Sequence, residues 1–148
     1  MATNIKLTKE DLKSRFDEYN KLYFGGKLGK CEFHVYKSSI SGYGKFNTKK
    51  SPKGKITYSI WITNNCEWTE KTLKETIIHE MIHYYVYAVE NVHCDGLLGH
   101  GKHFRRQCRR IKNNYGIDIS AHCNGCPPLK GKTPPTKLEK FVLWLIDR

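Results

Sequence analysis

The sequence predicts an α+β fold in which a small, mainly antiparallel sheet packs against one long apolar helix. Short segments rich in β-branched and aromatic residues lie between positions 32 and 62. A run with apolar residues at helical spacing follows, from 69 to 91. The 148 residues are 39% hydrophobic and 27% charged, which is typical of one soluble globular domain. These values exclude a membrane-embedded or wholly disordered chain.

The first element is a predicted helix that begins at Thr8. Thr8 is a suitable N-cap, and Asp11 three residues later supplies a weaker form of the capping box. An inward-facing stripe follows, and Gly25-Gly26 ends the helix. The stripe comprises Leu12, Phe16, Tyr19 and Tyr23.

Three segments then predict the strands, at residues 32–37, 41–46 and 55–62. The third segment, KITYSIWI, alternates in the way that is typical of a half-buried strand. The polar segment 47–54 contains proline and glycine, and it is predicted to be the turn before that strand.

Two more helices are predicted in the second half of the chain. Thr69 caps the first, and a glycine-containing loop at 92–99 leads to the second, at 102–113, with Gly116 as its stop. The inner faces are expected to comprise Leu73, Ile77, Met81, Tyr84 and Ala88, and then Phe104, Cys108 and Ile111. The main domain is expected to cover 1–126, followed by a tail at 127–148 with a short amphipathic helix.

The segment His79-Glu80-Met81-Ile82-His83 fits the pattern H-E-x-x-H on the long helix. Residues four apart share a helical face, so both imidazoles can reach one ion, and Glu80 can reach a water on that ion. The alternative is a pair of core histidines beside a buried glutamate. That alternative requires an unidentified cationic partner, because burying an unpaired carboxylate is costly.

A catalytic zinc site needs three protein ligands and one open position, so another ligand must come from outside the motif. The candidates are His93, His100 and His103, with Asp95 as a less favoured one. His100 is favoured because it stands between two glycines, which allow the backbone to approach a metal closely.

These motifs resemble the SprT-like zinc metallopeptidase family, over residues 8 to 125. The second histidine segment reads Gly99-His100-Gly101-Lys102-His103-Phe104, and the first helix carries the matching residues Phe16, Tyr19, Asn20 and Phe24. The resemblance implies a zincin-like fold. It also implies a Zn²⁺ site formed by His79, His83 and His100, with Glu80 as the catalytic residue. Spartan-related members of the family act on proteins crosslinked to DNA, so it further implies a role in DNA–protein crosslink repair.

The chain departs from the family pattern in two places. The family commonly has a glutamate before the phenylalanine, and this chain has His103. Many members carry a zinc ribbon with two Cys-x-x-Cys pairs, but this chain has one, Cys123-Asn124-Gly125-Cys126. Four ligands close a structural zinc site, and His122 would add only a third. A full ribbon is therefore not expected, and free thiols or a redox-labile pair are favoured.

Peptide hydrolysis also needs a hydrogen-bond donor for the tetrahedral intermediate, in addition to the metal. The candidates are Tyr43, Tyr84, Tyr115 and His103, among which the sequence does not choose.

The formal net charge is +12, which favours an anionic partner such as DNA. One basic cluster lies in the third helix and comprises Lys102, Arg105, Arg106, Arg109, Arg110 and Lys112. A second surrounds the hairpin turn and comprises Lys45, Lys49, Lys50, Lys53 and Lys55. A solvated helix face is the alternative, since each pair of like charges one turn apart destabilises a helix by only about 0.2–0.5 kcal/mol. Trp61 and Trp68 are candidates for stacking on unpaired bases, although core or rim positions are more usual for tryptophan.

The function that the sequence favours is a zinc-dependent endopeptidase, recruited by DNA. The alternatives are a basic nucleic-acid-binding module with a structural, non-catalytic zinc site, and a regulatory protein that kept the metal without activity. No run of the sequence approaches a membrane span, and the amino-terminal segment lacks a signal-peptide pattern. We therefore expect an intracellular, cytoplasmic monomer in which most of the six cysteines are free thiols.

Overall fold

A computed structural model describes residues 5–37, 42–122 and 125–130. These residues form the α+β architecture that the sequence predicts, with α-helices on one face of a three-stranded sheet. The helices are α1 (Lys9–Phe24), α2 (Glu70–Tyr84) and α3 (Lys102–Tyr115). The strands are β1 (Glu32–Tyr36), β2 (Gly44–Lys50) and β3 (Ile56–Thr63).

Helix α1 begins and ends where the sequence predicts. Thr8 and Asp11 form a reciprocal capping box, in which the backbone N–H of Asp11 donates to Thr8 Oγ1 at 3.1 Å. Gly25 ends the helix in the left-handed region, with a φ of 59°. The predicted stripe from Leu12 to Tyr23 is buried.

The sheet is mixed, with the order β1-β3-β2. β2 pairs with β3 in an antiparallel ladder, which is the longer of the two, and β1 pairs with β3 in parallel. A tight turn joins β2 to β3, where the N–H of Ser51 donates to the carbonyl of Lys55 at 2.8 Å. The sequence signals that hairpin, but it carries no local signal for the parallel pairing of β1.

The boundaries of β2 differ from the prediction. The strand continues to Lys50, through residues that were expected to form the turn. β2 lies at an edge of the sheet, and residues 47–50 are exposed there. An exposed edge strand carries polar side chains, so its composition resembles that of a turn.

Helix α2 is the most buried element. Thr69 caps it by accepting from the N–H of Thr72 at 3.2 Å, and four of the five predicted inward residues, Leu73 to Tyr84, are buried. The prediction for Ala88 is wrong. The chain continues as a π-helical turn, Tyr85–Val89, whose extra residue per turn shifts the periodicity. Val86 is buried as a result, and Ala88 is exposed.

The core lies between the helices and the sheet. Ile60 and Ile62 of β3 are fully buried, as are Leu73 and Ile77 of α2. α3 is bounded by Gly116, as predicted, and buries Phe104 and Ile111 while Cys108 is half-buried. α2 is therefore held by packing along most of its length, and this rigid helix carries the H-E-x-x-H motif.

Some predictions concern residues beyond the described ones. The predicted tail helix falls within 131–148, so the boundary after residue 126 stays a prediction, and Cys123 is likewise outside the described residues. Cys31, Cys66, Cys94 and Cys108 are free thiols, whereas Cys126 is disulfide-bonded. Over the described residues, no helix combines the length and apolar character that crossing a membrane requires.

Candidate metal centre

Helix α2 places His79 and His83 one turn apart on the same face. Their Nε2 atoms lie 3.1 Å apart. Intrahelical hydrogen bonds and the buried stripe fix the backbone beneath them, so the two rings point to the same place beside the helix. This is how the four-residue spacing becomes half of a ligand set.

The third imidazole comes from the segment that precedes α3. His100 follows a tight turn, Leu97–Gly99, and its Nε2 lies 3.1 Å from that of His83 and 3.3 Å from that of His79. Zinc–nitrogen bonds of 2.0–2.1 Å in a tetrahedron place the nitrogens about 3.3 Å apart. Three ring nitrogens that meet at one point cannot all be satisfied by protons shared among themselves, so the donor set fits a zinc ion.

The charge and tautomer of these rings also suit a metal. His79 Nδ1–H donates to the carbonyl of Ser120 at 2.8 Å, which leaves its Nε2 lone pair directed at the other two rings. Burial lowers the pKa of His79 to about 3 and that of His83 to about 2. Both rings are neutral at pH 7, so no proton has to be displaced when an ion binds.

Glu80 lies beside the three histidines. Its side chain is buried, and its Oε1 is 3.9 Å from His79 Nε2. Burial alone raises the pKa of Glu80 to about 8, so a cation beside the carboxylate is needed to keep it ionised and able to accept a proton at pH 7. A Cβ at Gly44 would lie 3.3 Å from Glu80 Oε1 and 3.0 Å from Ile62 Cδ1. The glycine in β2 therefore leaves room for the carboxylate.

These side chains line an open cleft of about 620 Å³. Three parts of the chain contribute to it: residues 42–46 in and before β2, one face of α2, and residues 98, 100 and 119–122. The cleft is large enough for several residues of an extended peptide, and the three imidazoles and Glu80 are reached from it.

Residues 12–127 match the SprT-like family, well over half of the 148 residues. The chain belongs to the SprT-like family. A search of curated protein sequences found no significant match. Family membership and the cluster of three histidines together make this a metallopeptidase-like domain with a zincin-like fold.

Asp95 has a role in this SprT-like domain that sequence reasoning missed. It was considered as a metal ligand, but its buried carboxylate lies at the start of α3. The carboxylate accepts from the backbone N–H groups of His103 at 3.1 Å and Phe104 at 2.7 Å, and from His103 Nδ1 at 2.9 Å. Gly101, the N-cap of α3, has no side chain that could do this. The sequence signal for this role is the glycine at the N-cap of α3, which leaves the helix without a capping side chain of its own.

The backbone of Asp95 closes the same segment. The N–H of Gly101 donates to its carbonyl at 2.7 Å, so His100 lies on a loop that is tied at both ends. His103, which stands where the family commonly has a glutamate, pairs with Asp95 instead of reaching the metal site. His93 is exposed and stacks on Tyr87 with ring centres 4.2 Å apart. The structure therefore brings none of the other candidate ligands to the cluster.

The structure also sorts the candidate donors for the intermediate. Tyr84 donates to the carbonyl of Lys30 at 2.9 Å, and Tyr115 packs against the ring of Tyr23 near the end of α3. Neither residue lines the cleft. Tyr43 does line it, and its hydroxyl donates to the carbonyl of Pro127 at 2.7 Å. His122 lines the cleft too, with its ring centre 6.4 Å from that of His100. The sequence had suggested it only as a structural ligand.

The basic cluster of α3 divides into two sets. Arg106 donates to Glu90 at 3.2 Å, Lys112 lies 3.6 Å from Asp118, and Arg110 donates to Gln107 at 2.7 Å. Arg110 also lies over the ring of Phe24, 5.5 Å from its centre. The other set comprises Lys102, Arg105 and Arg109, which are exposed and form no ion pair with any described residue.

The second basic cluster is mostly solvated, and neither tryptophan presents an open ring face. Lys49, Lys50, Lys53 and Lys55 are exposed at the hairpin. Trp68 is fully buried and donates to the carbonyl of Thr63 at 2.7 Å, so the suggestion that it stacks on bases is wrong. Trp61 is covered by the ring of His34, centred 4.1 Å away, and by Lys45 Nζ at 4.6 Å. These neighbours lie on the strands at either side of β3, so both faces of the indole are occupied.

Proposed function

We propose that this chain is a zinc-dependent endopeptidase of SprT-like type. The supporting observation is that three Nε2 atoms, all within 3.3 Å of one another, lie beside a buried glutamate in an open cleft. The alternative, a nucleic-acid module with structural zinc, is less well supported. A structural site is normally closed by four protein ligands, and the described residues offer three at this point.

Each residue has a defined part in peptide hydrolysis. His79, His83 and His100 would hold zinc, which supplies a Lewis acid and lowers the pKa of water towards about 7. Glu80 accepts the proton of the attacking water and passes it to the leaving amine. Tyr43 and His122 line the cleft and are the candidate donors for the oxygen of the tetrahedral intermediate. The hydroxyl of Tyr43 would have to release the carbonyl of Pro127 before it could donate to that oxygen.

The outer edge of β2 would set the direction in which a substrate peptide lies across the cleft. β2 is an outer strand in the order β1-β3-β2, and residues 42–46 line the cleft. An extended peptide that pairs with this edge would pass in front of Glu80 and the three imidazoles. Backbone hydrogen bonds hold such a peptide, so the substrate is expected to be an unfolded or flexible segment of protein.

Metal analysis and a single isosteric substitution test this proposal. The purified protein is expected to hold about one zinc per chain and to cleave an unfolded protein. Glu80→Gln should keep the zinc and lose cleavage by about 10²–10⁴-fold, because the base for the water is removed. Glu75→Gln is the matched control, since Glu75 also lines the cleft on α2 but pairs with Lys71 at 2.9 Å. Zinc-loaded protein that never cleaves, or that cleaves equally as Glu80→Gln, would refute the proposal.

We further propose that the enzyme acts on DNA-associated proteins, through the three exposed cations of α3. Lys102, Arg105 and Arg109 are spaced so that they share one side of the helix, and they begin two residues after His100. Phosphate contacts at this position would hold DNA next to the cleft, and the net charge of +12 supports attraction at longer range.

A salt series tests the DNA contact. Replacement of all three cations by glutamine should weaken DNA binding and reduce the slope of log K against log salt by about 0.9 per lost phosphate contact. A second triple variant, Arg106→Gln with Arg110→Gln and Lys112→Gln, removes the same charge from the residues that have partners within the chain. Equal loss in the two variants would mean that net charge, and not this surface, binds DNA.

A further inference from the structure

Leu98 has a backbone conformation that leucine rarely adopts. Its φ is 57° and its ψ is 16°, in the left-handed region. Asn91 is the other described residue besides glycine with a positive φ, and asparagine enters this region readily. In leucine the Cβ crowds the neighbouring carbonyl oxygen. The backbone of the segment therefore gives no reason for leucine at this position, and glycine or asparagine would suit it better.

Packing gives no reason for leucine either. The side chain is 63% exposed, and a leucine stabilises a fold by being removed from water. The strain is imposed by the surrounding segment, in which Gly96 and Gly99 also have positive φ and Asp95 binds Gly101. A strained conformation persists where its surroundings fix it, and such positions cluster at functional sites.

The position of Leu98 in the cleft gives a reason for leucine there, which its backbone conformation and packing do not. Leu98 lines the same cleft as Glu80 and His83, and it precedes His100 by two residues. Its neighbour Leu97 is equally exposed, at 60%, but does not line the cleft. The strained backbone thus directs one of two adjacent leucines towards the place where a substrate would lie.

We infer that Leu98 is a specificity residue, which forms the apolar wall of a subsite for a large apolar side chain next to the scissile bond. This inference rests on the proposed peptidase function. Contact with an apolar substrate side chain would remove the exposed leucine from water, and polar side chains at that position would gain nothing from it. The substrate class is therefore a flexible peptide segment with leucine, isoleucine, methionine or phenylalanine beside the cleaved bond.

The test uses Leu98→Asn, with Leu97→Asn as the matched control. Mass spectrometry of a digested unfolded protein identifies the bonds that the wild type cleaves. Peptide pairs are then made that differ only in having leucine or serine at the flanking position. The wild type should favour the leucine peptide in kcat/KM by about tenfold or more. Leu98→Asn should lose most of this preference, and Leu97→Asn should keep it.

Two further measurements separate this inference from a structural role and from the proposed function. Leu98→Asn should not lower the Tm, because asparagine adopts the left-handed region more easily, and a clear fall would overturn the inference. The same peptide pairs are titrated onto zinc-loaded Glu80→Gln protein, where binding is measured without hydrolysis. If the wild type cleaves no peptide, the proposed function fails. If the two peptides bind Glu80→Gln equally, or Leu98→Asn keeps the wild-type preference, the specificity inference fails.

Discussion

Helix α2 and the segment 95–101 bring imidazoles to the same point, but they hold them in different ways. In α2 the backbone is regular, capped by Thr69 and buried along the stripe from Leu73 to Tyr84. In the segment 95–101 the backbone is irregular, with three positive φ values within four residues, and hydrogen bonds to Asp95 tie it down. The comparison shows that one half of the candidate metal centre is fixed by the core and the other half by a few polar contacts.

The largest expected effect is the removal of the ligand on the less supported half. Mutation of a residue that hydrogen-bonds a metal ligand typically lowers metal affinity roughly 10–100-fold. His100→Ala removes a ligand itself, so it should lower zinc affinity by more than this, and cleavage should be lost. Competition with a chromogenic chelator measures the affinity. His93→Ala is the control, because His93 is an exposed histidine that stacks on Tyr87 and not on the three imidazoles. Wild-type zinc affinity in His100→Ala would mean that another residue completes the site.

The same comparison explains what the sequence could predict. His79, Glu80 and His83 are predictable because helical spacing alone places them together, and the Thr69 cap and many apolar residues mark α2 as a helix. His100 was identified by its flanking glycines and the family resemblance. The sequence did not reveal Asp95, because its partners His103 and Phe104 become neighbours only when α3 folds back on the loop. The strain at Leu98 has no local sequence signal, since leucine is not a residue expected in the left-handed region.

Gly101→Ala is expected to have the next largest effect. The φ of Gly101 is −79°, so alanine fits the backbone, but its Cβ would lie 2.6 Å from Asp95 Oδ1 and 2.7 Å from the Asp95 carbonyl oxygen. The segment must move to relieve this clash. We expect a loss of about 1–3 kcal/mol in the free energy of unfolding and a fall in zinc affinity. Urea denaturation and chelator competition measure the two quantities.

The control for this variant is Gly54→Ala at the hairpin turn. Gly54 has a φ of 83° and open space around it, so alanine there is strained without a clash and lies far from the three imidazoles in sequence. It should cost about 1–2 kcal/mol and leave zinc affinity unchanged. Unchanged zinc affinity in Gly101→Ala as well would show that the segment tolerates displacement and that His100 does not depend on it.

Asp95→Asn should have a smaller effect on both quantities. The amide can accept from one of the two backbone N–H groups, but it loses the charge that binds α3 and His103. We expect unfolding to become easier by about 1–2 kcal/mol and zinc to bind about tenfold more weakly. Urea denaturation and chelator competition measure these changes. Loss of stability with full zinc affinity would limit Asp95 to capping α3.

The effect of Asp95→Asn on stability should depend on pH, in a direction that follows from the pKa of Asp95. Burial raises the pKa of the Asp95 carboxyl, but hydrogen bonds from Phe104 and His103 outweigh burial and hold the pKa below the ordinary 3.8. A carboxyl whose pKa is lowered on folding stabilises the fold above its unfolded pKa and loses this effect as the pH falls through the folded pKa. The difference in the free energy of unfolding between wild type and Asp95→Asn should therefore be largest at about pH 5–7. It should shrink below about pH 4.

Glu70→Gln should have the smallest effect, and it tests whether α2 is the rigid half. Glu70 lies in the first turn of α2 and receives two hydrogen bonds from Arg15 of α1, at 2.8 and 3.0 Å. These bonds lower the pKa of Glu70 below its ordinary 4.5, so their stabilisation is present above that pH and lost as the pH falls below it. Glu70 is largely exposed and water screens the pair, so the loss at pH 7 should be about 0.5 kcal/mol in urea denaturation.

Zinc affinity gives the decisive measurement for this variant. Glu70 and His79 lie nine positions apart on one helix, and that helix is packed against the sheet between them. If the core fixes α2, a change at its first turn does not reach the imidazoles, and zinc affinity in Glu70→Gln stays at the wild-type value. Asp17→Asn, which breaks an exposed pair with Lys13 within α1, serves as a matched surface control. A fall in zinc affinity in Glu70→Gln alone would mean that α2 also depends on a few polar contacts, and the contrast with the segment 95–101 would no longer hold.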